Sequence, residues 1–277
     1  MKTAVCLVTK AYLKEDVEFW IDHYLNYCGF DTVFLYDNES YCGPLEKLLK
    51  PNPNVIISSF TDEYKFTKLH IQQDIYEELY MKIRNDYDWL LCVDDDEFLW
   101  LNKEKYKDIK EFLTDMYSQN KKQICLPWQI ISYEDYHIPA LRTKPAPMEC
   151  FYTYYNFFHH KPYMTGFKSI FNCKDLLIRS CNNHCWANAD HNLYLEYSDT
   201  PIKDMYLTST EVEVYKCNAK LIHYRRRSYD EWNKRINRRG VAWPQEVYKN
   251  RLAEFESSDK MPVGFTVYYD PFNLDKN

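Results

Sequence analysis

The chain has 277 residues, of which 45% are hydrophobic and 27% charged, and its net charge is −6. This length allows one large α/β domain or two small ones, and the composition is that of a globular protein. The acidic balance argues against general nucleic-acid binding, and no apolar run reaches the roughly 20 residues of a membrane-spanning helix.

Strands and helices alternate in the first part of the chain. Apolar residues at helical spacing predict helices over residues 15–28 and 68–83. Short apolar runs predict strands at residues 3–8, 32–37, 55–60 and 89–93. The run at 89–93 is apolar throughout, as in a strand buried on both faces. This alternation predicts a parallel sheet with helices on both faces, and therefore the α/β class.

The remaining chain predicts further elements with less regular spacing. We expect helices at 106–119 and 228–240, the second opened by a capping box of Ser228 and Glu231. A strand is expected at 123–132, a strand pair at 167–173 and 176–181, and a strand that ends at Tyr224. Residues 132–162 have no clear period and are expected to form a long loop or lid.

The ten cysteines are scattered, with no C-x-x-C pair. The amino-terminal segment has no cleavage site and is predicted to form a strand, so reduced thiols in the cytoplasm are expected, with or without attachment to a membrane face. Cys181, His184 and Cys185 have zinc-ligand chemistry, but no second ligand pair is evident from the spacing.

Four consecutive acids, Asp94 to Glu97, follow the fourth predicted strand. Ligands of open α/β sheets bind beyond the carboxyl ends of the strands, and converging carboxylates repel each other unless a cation or proton intervenes. Hard oxygen ligands with room for phosphates favour Mg²⁺ or Mn²⁺. If strand geometry continues, Asp94 and Asp96 share a face, while Asp95 and Glu97 point elsewhere. A solvated acidic turn is the alternative.

Four stretches resemble, in order, blocks of glycosyltransferase family 92 and its family-2-like relatives. They span about residues 4–240 and read "CLVTKAYLKEDVEFWIDHYLNYCGFDTVFLYDNES", "WLLCVDDDEFL", "FKSIF" and "LIHYRRRSYDEWNKRINRRG". The chain departs from the family where Ala11 and Tyr12 replace the common Asn-Glu. The resemblance implies one GT-A domain over 1–277: a Rossmann-like nucleotide-sugar half over about 1–100, an acceptor half over about 101–245, and a tail over 246–277.

The resemblance also assigns roles to single residues. Asp94 and Asp96 match the D-x-D motif, which implies a divalent metal, Mn²⁺ or Mg²⁺, and His223 matches the late histidine that completes the metal ligands. Other matching residues face the donor: Asp37 would contact the nucleoside, with Thr9 and Lys10 lining the same pocket. A packed core histidine is the alternative for His223.

Glycosyl transfer would also require side chains that contact the diphosphate and a general base. Arg225 and Arg227 follow His223 closely, and Lys168 is a further cation for a diphosphate. Inverting transfer needs a base near the acceptor hydroxyl, for which Asp190 is the first candidate, followed by Glu134 with Asp135, and by His184. Each of these residue types is also common on solvated surfaces or in packed cores.

The predicted activity is transfer of a hexose, galactose as a first guess, from a UDP-sugar to a hydroxyl of a glycan or glycoconjugate, with inversion. One alternative is another metal-dependent nucleotide enzyme, such as a nucleotidyltransferase or phosphohydrolase, but no glycine-rich phosphate loop is evident. The other is a non-catalytic glycan-binding relative. The intact Asp94–Asp96 pair argues against it, and the Ala11–Tyr12 departure leaves it open.

Overall fold

The computed structural model describes residues 1–59, 71–130, 163–175, 178–188, 193–202 and 209–223. Apart from Ile130, these residues belong to one unit formed by Met1–Gln129 and Phe157–His223. The predicted division of the chain into a nucleotide half, an acceptor half and a tail stays a prediction.

Eleven strands and four α-helices lie in the described ranges. The helices are α1 (Lys14–Asp22), α2 (Leu45–Leu48), α3 (Ile71–Ile83) and α4 (Ile109–Ser118). A π-helical turn at His23–Tyr27 continues α1, and a 3₁₀ turn occupies Val214–Lys216. The strands are β1 (Thr3–Thr9), β2 (Thr32–Asp37), β3 (Val55–Ser59), β4 (Trp89–Val93), β5 (Glu97–Leu101), β6 (Gln123–Ile130), β7 (Tyr163–Asn172), β8 (Ile178–Cys181), β9 (Trp186–Asn188), β10 (Ser209–Val212) and β11 (Ala219–His223).

One mixed sheet organises the described residues. Nine strands form it in the order β3-β2-β1-β4-β7-β6-β11-β5, with β10 beside β7. Strands β3, β2, β1 and β4 are parallel, whereas β7 is antiparallel to β4, β6 and β10, and β11 is antiparallel to β5. The predicted α/β class and its Rossmann-like parallel half are therefore confirmed.

The core explains why the parallel half was predictable. β4 is buried along its whole length, in keeping with its uniformly apolar sequence. Helix α3 packs Ile75, Tyr76 and Leu79 into a cluster with Cys6 of β1 and Leu90 of β4. Because α3 presents these side chains at helical spacing, the pattern that predicts the helix also fixes the face that it buries.

Two helix ends show how local chemistry sets the boundaries. Helix α4 starts three residues later than predicted because Asp108 caps it, its side chain accepting hydrogen bonds from the backbone N–H groups of Lys110 and Glu111. The predicted helix after β1 is confirmed, but its last turn is π-helical. It stops before Gly29, which has φ +82° and lies so close to Asp108 that a Cβ would approach its Cβ to 2.9 Å.

Two strand predictions are wrong. The stretch 176–181 does not pair with 167–173: β7 lies between β4 and β6, and β8 pairs with β9 in a separate two-stranded sheet. The acids after β4 also do not continue a strand. Asp94 to Asp96 form a turn, closed by a hydrogen bond from the Glu97 N–H to the Asp94 carbonyl, and Glu97 begins β5. The expected strand-like alternation of the four acids therefore fails.

Within the described ranges, no helix is long and apolar enough to cross a membrane.

Candidate active site

The site lies where β1, β4 and β11 end and β5 begins. β1 and β4 are parallel neighbours, so Thr9 and the acids after Val93 reach the same edge of the sheet. β11 pairs with β5 such that His223 is opposite Glu97. Lys168 approaches from β7, the antiparallel neighbour of β4. Residues far apart in sequence therefore converge at the carboxyl edge of the parallel strands, where ligands of such sheets bind.

Asp96 and His223 form a buried pair. The Asp96 Oδ1 and His223 Nε2 atoms are 3.6 Å apart, and the two residues are only 7% and 8% exposed. Burial lowers the pKa of His223, but the negative charges of Asp96, Glu97 and Asp94 outweigh it and raise the pKa above its ordinary value. In the absence of a metal, Asp96 therefore pairs with a histidine that tends to be protonated.

Lys168 is the buried cation of the site. Its Nζ lies 2.9 Å from Asp94 Oδ2, 3.8 Å from Glu97 Oε2 and 2.7 Å from the Asn183 carbonyl oxygen. Burial lowers the pKa of this lysine, yet the neighbouring carboxylates outweigh it and raise the pKa above its usual range. Burial raises the pKa of Asp94, but the charge and hydrogen bond of Lys168, together with the hydrogen bond from Gln72, outweigh it and lower the pKa, so Asp94 is ionised at neutral pH.

Glu97 stabilises the turn formed by Asp94 to Asp96. The residue has no exposed surface, and its Oε2 accepts a hydrogen bond of 2.9 Å from the Asp94 N–H. Burial raises the pKa of Glu97 to about 7, against the opposing effect of Lys168. Its Oε1 has no hydrogen-bond partner among the described residues. Glu97 thus lies within the acidic cluster, on the side of Lys168.

The remaining acids and Thr9 complete the turn. The Thr9 hydroxyl donates a hydrogen bond of 2.8 Å to Asp95 Oδ2, which ties the end of β1 to the turn. Gln72 of α3 donates a hydrogen bond to Asp94 Oδ1. The structure therefore brings together the predicted residues Thr9, Asp94 and Asp96 through contacts with elements on both sides.

Asp37 and Lys10 lie at the same sheet edge but have other contacts. Asp37 is opposite Thr9 in the β1–β2 register, and its carboxylate accepts hydrogen bonds from the N–H groups of Ser40 and Leu45 at 2.9 and 2.8 Å. The Lys10 Nζ is 3.5 Å from Glu39 Oε2. These contacts order the segment after β2, and the roles predicted for Asp37 and Lys10 toward a nucleoside stay predictions.

His184 lies beside the buried cation, on the turn between β8 and β9. Its Nδ1 hydrogen-bonds to the Phe167 carbonyl oxygen at 3.0 Å, so this nitrogen carries the proton and Nε2 keeps a lone pair. Burial, followed by the charge of Lys168, lowers the pKa of His184. The imidazole is therefore neutral at pH 7 and able to accept a proton.

The other predicted residues fall outside the described ranges: Asp190, Glu134 and Asp135 as candidate bases, and Arg225 and Arg227 as phosphate contacts. Their roles stay predictions.

Three residues of the site were not among the predicted ones. The sequence predicts that Glu97 points away from Asp94 and Asp96, and it places Gln72 only within the helix 68–83 and Trp128 only within the strand 123–132. Trp128 has its ring centroid 4.4 Å from that of His223 and 5.3 Å from that of His184. No pattern in the sequence signals Trp128, because the strand that carries it is distant in sequence from both histidines.

The donor atoms fit a hard divalent cation. Among the described residues, no group of three or more His, Cys, Asp or Glu side chains is placed so that it could hold a metal ion. One carboxylate and one imidazole, Asp96 and His223, face each other at 3.6 Å beside ionised Asp94. Mg²⁺ and Mn²⁺ sites of nucleotide enzymes use few protein ligands and take the rest from water and phosphates, so this set fits them and does not fit structural zinc.

Comparisons with known proteins return low similarity. No protein-family profile and no curated protein sequence matches the chain. Among solved structures, S. aureus TarS 1–349 is 17% identical with a TM-score of 0.32, and the match covers 52% of this chain and 40% of that one. TarS 1–349 in complex with UDP-GlcNAc is 17% identical with a TM-score of 0.33, covering 52% and 38%.

A197 from STIV is 12% identical with a TM-score of 0.27, covering 62% of this chain and 65% of that one. The match to the TarS structures spans about two fifths of their length. Similarity at this level identifies no family, and the resemblance to glycosyltransferase family 92 stays a prediction.

Proposed function

We propose that the protein is a metal-dependent glycosyltransferase that moves a hexose from a UDP-sugar to a hydroxyl of a glycan or glycoconjugate, with inversion. The observation that carries the proposal is the pair of Asp96 Oδ1 and His223 Nε2, 3.6 Å apart at the carboxyl edge of the parallel strands. UDP, galactose and inversion rest on the sequence resemblance, and galactose is the first sugar to test.

The charges of the site favour a divalent cation. Asp94, Asp95 and Asp96 contribute three carboxylates, of which Lys168 offsets one and protonated His223 a second. Glu97, with a pKa of about 7, adds a further partial negative charge. Excess negative charge in a partly buried site attracts a cation and repels a free diphosphate, so a cation is needed before the donor binds.

A bound Mn²⁺ or Mg²⁺ would supply Lewis-acid stabilisation of the leaving diphosphate. Asp96 and His223 would hold it, which requires His223 to lose its proton. Asp94 stays ionised beside Lys168 and presents negative charge toward the same space. Thr9 and Glu97 hold the turn in place, through Asp95 Oδ2 and the Asp94 N–H respectively. A preorganised turn stabilises developing charge without rearranging during the reaction.

Proton removal from the acceptor hydroxyl needs a base that is unprotonated at neutral pH. His184 satisfies this requirement, because its Nδ1 proton is held by the Phe167 carbonyl and its lowered pKa keeps Nε2 unprotonated at pH 7. Asp190, Glu134 and Asp135 remain candidates for the same role. Substitution of His184 by Gln separates them: loss of turnover with intact donor binding identifies His184 as the base.

A stability screen followed by an activity assay tests the proposal. Thermal unfolding is measured with UDP, GDP and CDP, with and without Mn²⁺, and the hydrolysis of UDP-galactose and UDP-GlcNAc is then followed. We expect stabilisation by UDP that requires Mn²⁺ and is lost in Asp96→Asn. The matched control is Asp199→Asn, which removes a carboxylate from a side chain that is fully exposed. If UDP stabilises the protein equally without Mn²⁺ and in Asp96→Asn, the proposal is contradicted.

The same assay, extended to nucleoside triphosphates, distinguishes the alternative functions that the sequence left open. A nucleotidyltransferase or phosphohydrolase releases phosphate or diphosphate from a nucleoside triphosphate, whereas a glycosyltransferase releases UDP from the sugar donor. A non-catalytic glycan-binding relative shows binding without release of either product.

A further inference from the structure

The two ring nitrogens of His223 have different surroundings. Its Nε2 faces Asp96 at 3.6 Å, whereas its Nδ1 is buried and has no hydrogen-bond partner in the described part of the chain. Histidines that bind metals almost always donate their second ring N–H to an acceptor, which fixes the ring. Contact with a neighbouring side chain is a second way to hold the imidazole.

Trp128 supplies that contact. Its indole lies 4.4 Å from the His223 ring, centroid to centroid, with 57° between the planes. Leu126 is opposite Lys168 in the β6–β7 register, and Trp128, two residues further on, projects from the same face of the sheet. The Trp128 Nε1 is also buried and has no partner among the described residues.

Gly166 determines where the indole lies. A Cβ at this position would be 2.1 Å from Trp128 Cε3 and 2.2 Å from Cζ3, far inside the contact distance of carbon atoms. Any side chain at 166 would therefore displace the ring. The strand segment around the indole is fixed, because the Thr165 hydroxyl donates a 2.9 Å hydrogen bond to the Trp128 carbonyl.

We propose that Trp128 is the positioning residue for His223, and that Gly166 provides the space that sets the indole against the imidazole. The proposal rests on the metal-dependent function above for its consequence in metal binding, but the contact itself concerns the protein without metal. The chain of contacts runs from Gly166 to Trp128, from Trp128 to His223, and from His223 to Asp96.

Mn²⁺ affinity is the first readout, measured by electron paramagnetic resonance of free Mn²⁺ below the unfolding temperature of each variant. We expect Trp128→Leu to weaken Mn²⁺ binding at least about tenfold, as losses around metal-bound histidines do. The control is Trp100→Leu. Trp100 is also half-buried with an unpartnered buried Nε1, but it lies three residues from Glu97 along β5 and hence on the opposite face. The Mn²⁺ affinity of Trp100→Leu should stay within about twofold of that of the natural protein.

Gly166 is tested by a double-mutant cycle. Gly166→Ala alone should weaken Mn²⁺ binding, because its Cβ displaces the indole. In Gly166→Ala/Trp128→Leu the clashing Cε3 and Cζ3 atoms are gone, so the double variant should bind Mn²⁺ no more weakly than Trp128→Leu. Additive losses would show that Gly166 acts independently of Trp128, which would overturn its assigned role. Trp128→Met, which fills more of the space, replaces the leucine variant if that variant does not fold.

A second readout needs no metal. The ring resonances of His223 in the metal-free protein, assigned by their loss in His223→Gln, should form one sharp set in the natural protein and in Trp100→Leu. They should broaden or split in Trp128→Leu. One sharp set in Trp128→Leu, or equal disturbance by Trp100→Leu, overturns the positioning role. A natural protein that binds no Mn²⁺ contradicts the proposed metal centre instead, and the resonances still decide the role of Trp128.

Discussion

Removal of the Lys168 charge tests the electrostatics of the site most sharply. Lys168→Met keeps most of the apolar stem of a side chain that is 1% exposed and deletes the ammonium beside Asp94 and Glu97. Breaking a fully buried ion pair by removing one partner costs about 3–5 kcal/mol. The Asp94 side chain is 36% exposed, so water compensates part of this loss, and Glu97 can take up a proton. We therefore expect the free energy of unfolding to fall by about 2–3 kcal/mol at pH 7.

Urea denaturation of matched variants measures this value. Lys121→Met is the control: Lys121 is equally buried, but its Nζ donates to two neutral oxygens, the Glu196 carbonyl and the Gln119 side-chain amide. The Asp199 carboxylate, 3.5 Å from the Lys121 Nζ, is fully exposed and contributes little. Loss of these hydrogen bonds should cost about 1 kcal/mol. In Lys168→Met/Asp94→Asn the stranded carboxylate is gone, so the double variant should be more stable than Lys168→Met. The reasoning is refuted if Lys168→Met costs no more than Lys121→Met, or if Asp94→Asn adds to the loss.

Three further predictions concern pH, a helix cap and a glycine. Burial lowers the pKa of His23 to about 3, so only the unfolded chain binds a proton between about pH 6.5 and pH 3. The free energy of unfolding should thus decrease as the pH is lowered through that range. From pH 7 to pH 5 the natural protein should lose about 2 kcal/mol more than His23→Gln, as measured by urea denaturation of both proteins. Equal pH profiles would contradict the prediction. Asp108→Ala removes the cap of α4 and should cost about 1 kcal/mol, whereas Asp108→Asn should keep most of the stability. Gly29→Ala should lower the melting temperature, because φ is +82° and its Cβ would meet Asp108; an unchanged melting temperature would show that the turn relaxes freely.

The elements that the sequence predicted well are those whose signal is local. Apolar runs placed β1, β2 and β4, and helical spacing placed the buried face of α3. These predictions succeeded because the apolar residues that a strand or helix buries form a pattern within its own sequence. β5 was missed because the acids before it carry no Gly or Pro to mark a turn. The pairing of β8 was missed because pairing depends on which strand edges are free, a property of the whole sheet.

The site also combines features that could be predicted from the sequence with features that depend on the whole sheet. The resemblance assigned Thr9 and Asp94 to one pocket, and they lie close together because the parallel strands β1 and β4 end at the same edge of the sheet. The pairing of Asp96 with His223, which the resemblance anticipated as shared metal ligation, joins β11 to the turn after β4. The burial of Lys168 between Asp94 and Glu97, and the packing of Trp128 on His223, depend on antiparallel strands whose order no local pattern encodes.

The central claim is that a divalent cation binds between Asp96 and His223. Electron spin echo envelope modulation of Mn²⁺ bound to the protein detects a directly coordinated imidazole nitrogen. We predict a nitrogen modulation in the natural protein, its absence in His223→Gln, and loss of bound Mn²⁺ in Asp96→Asn but not in Asp199→Asn. Bound Mn²⁺ without nitrogen modulation, or modulation that persists in His223→Gln, would contradict the claim.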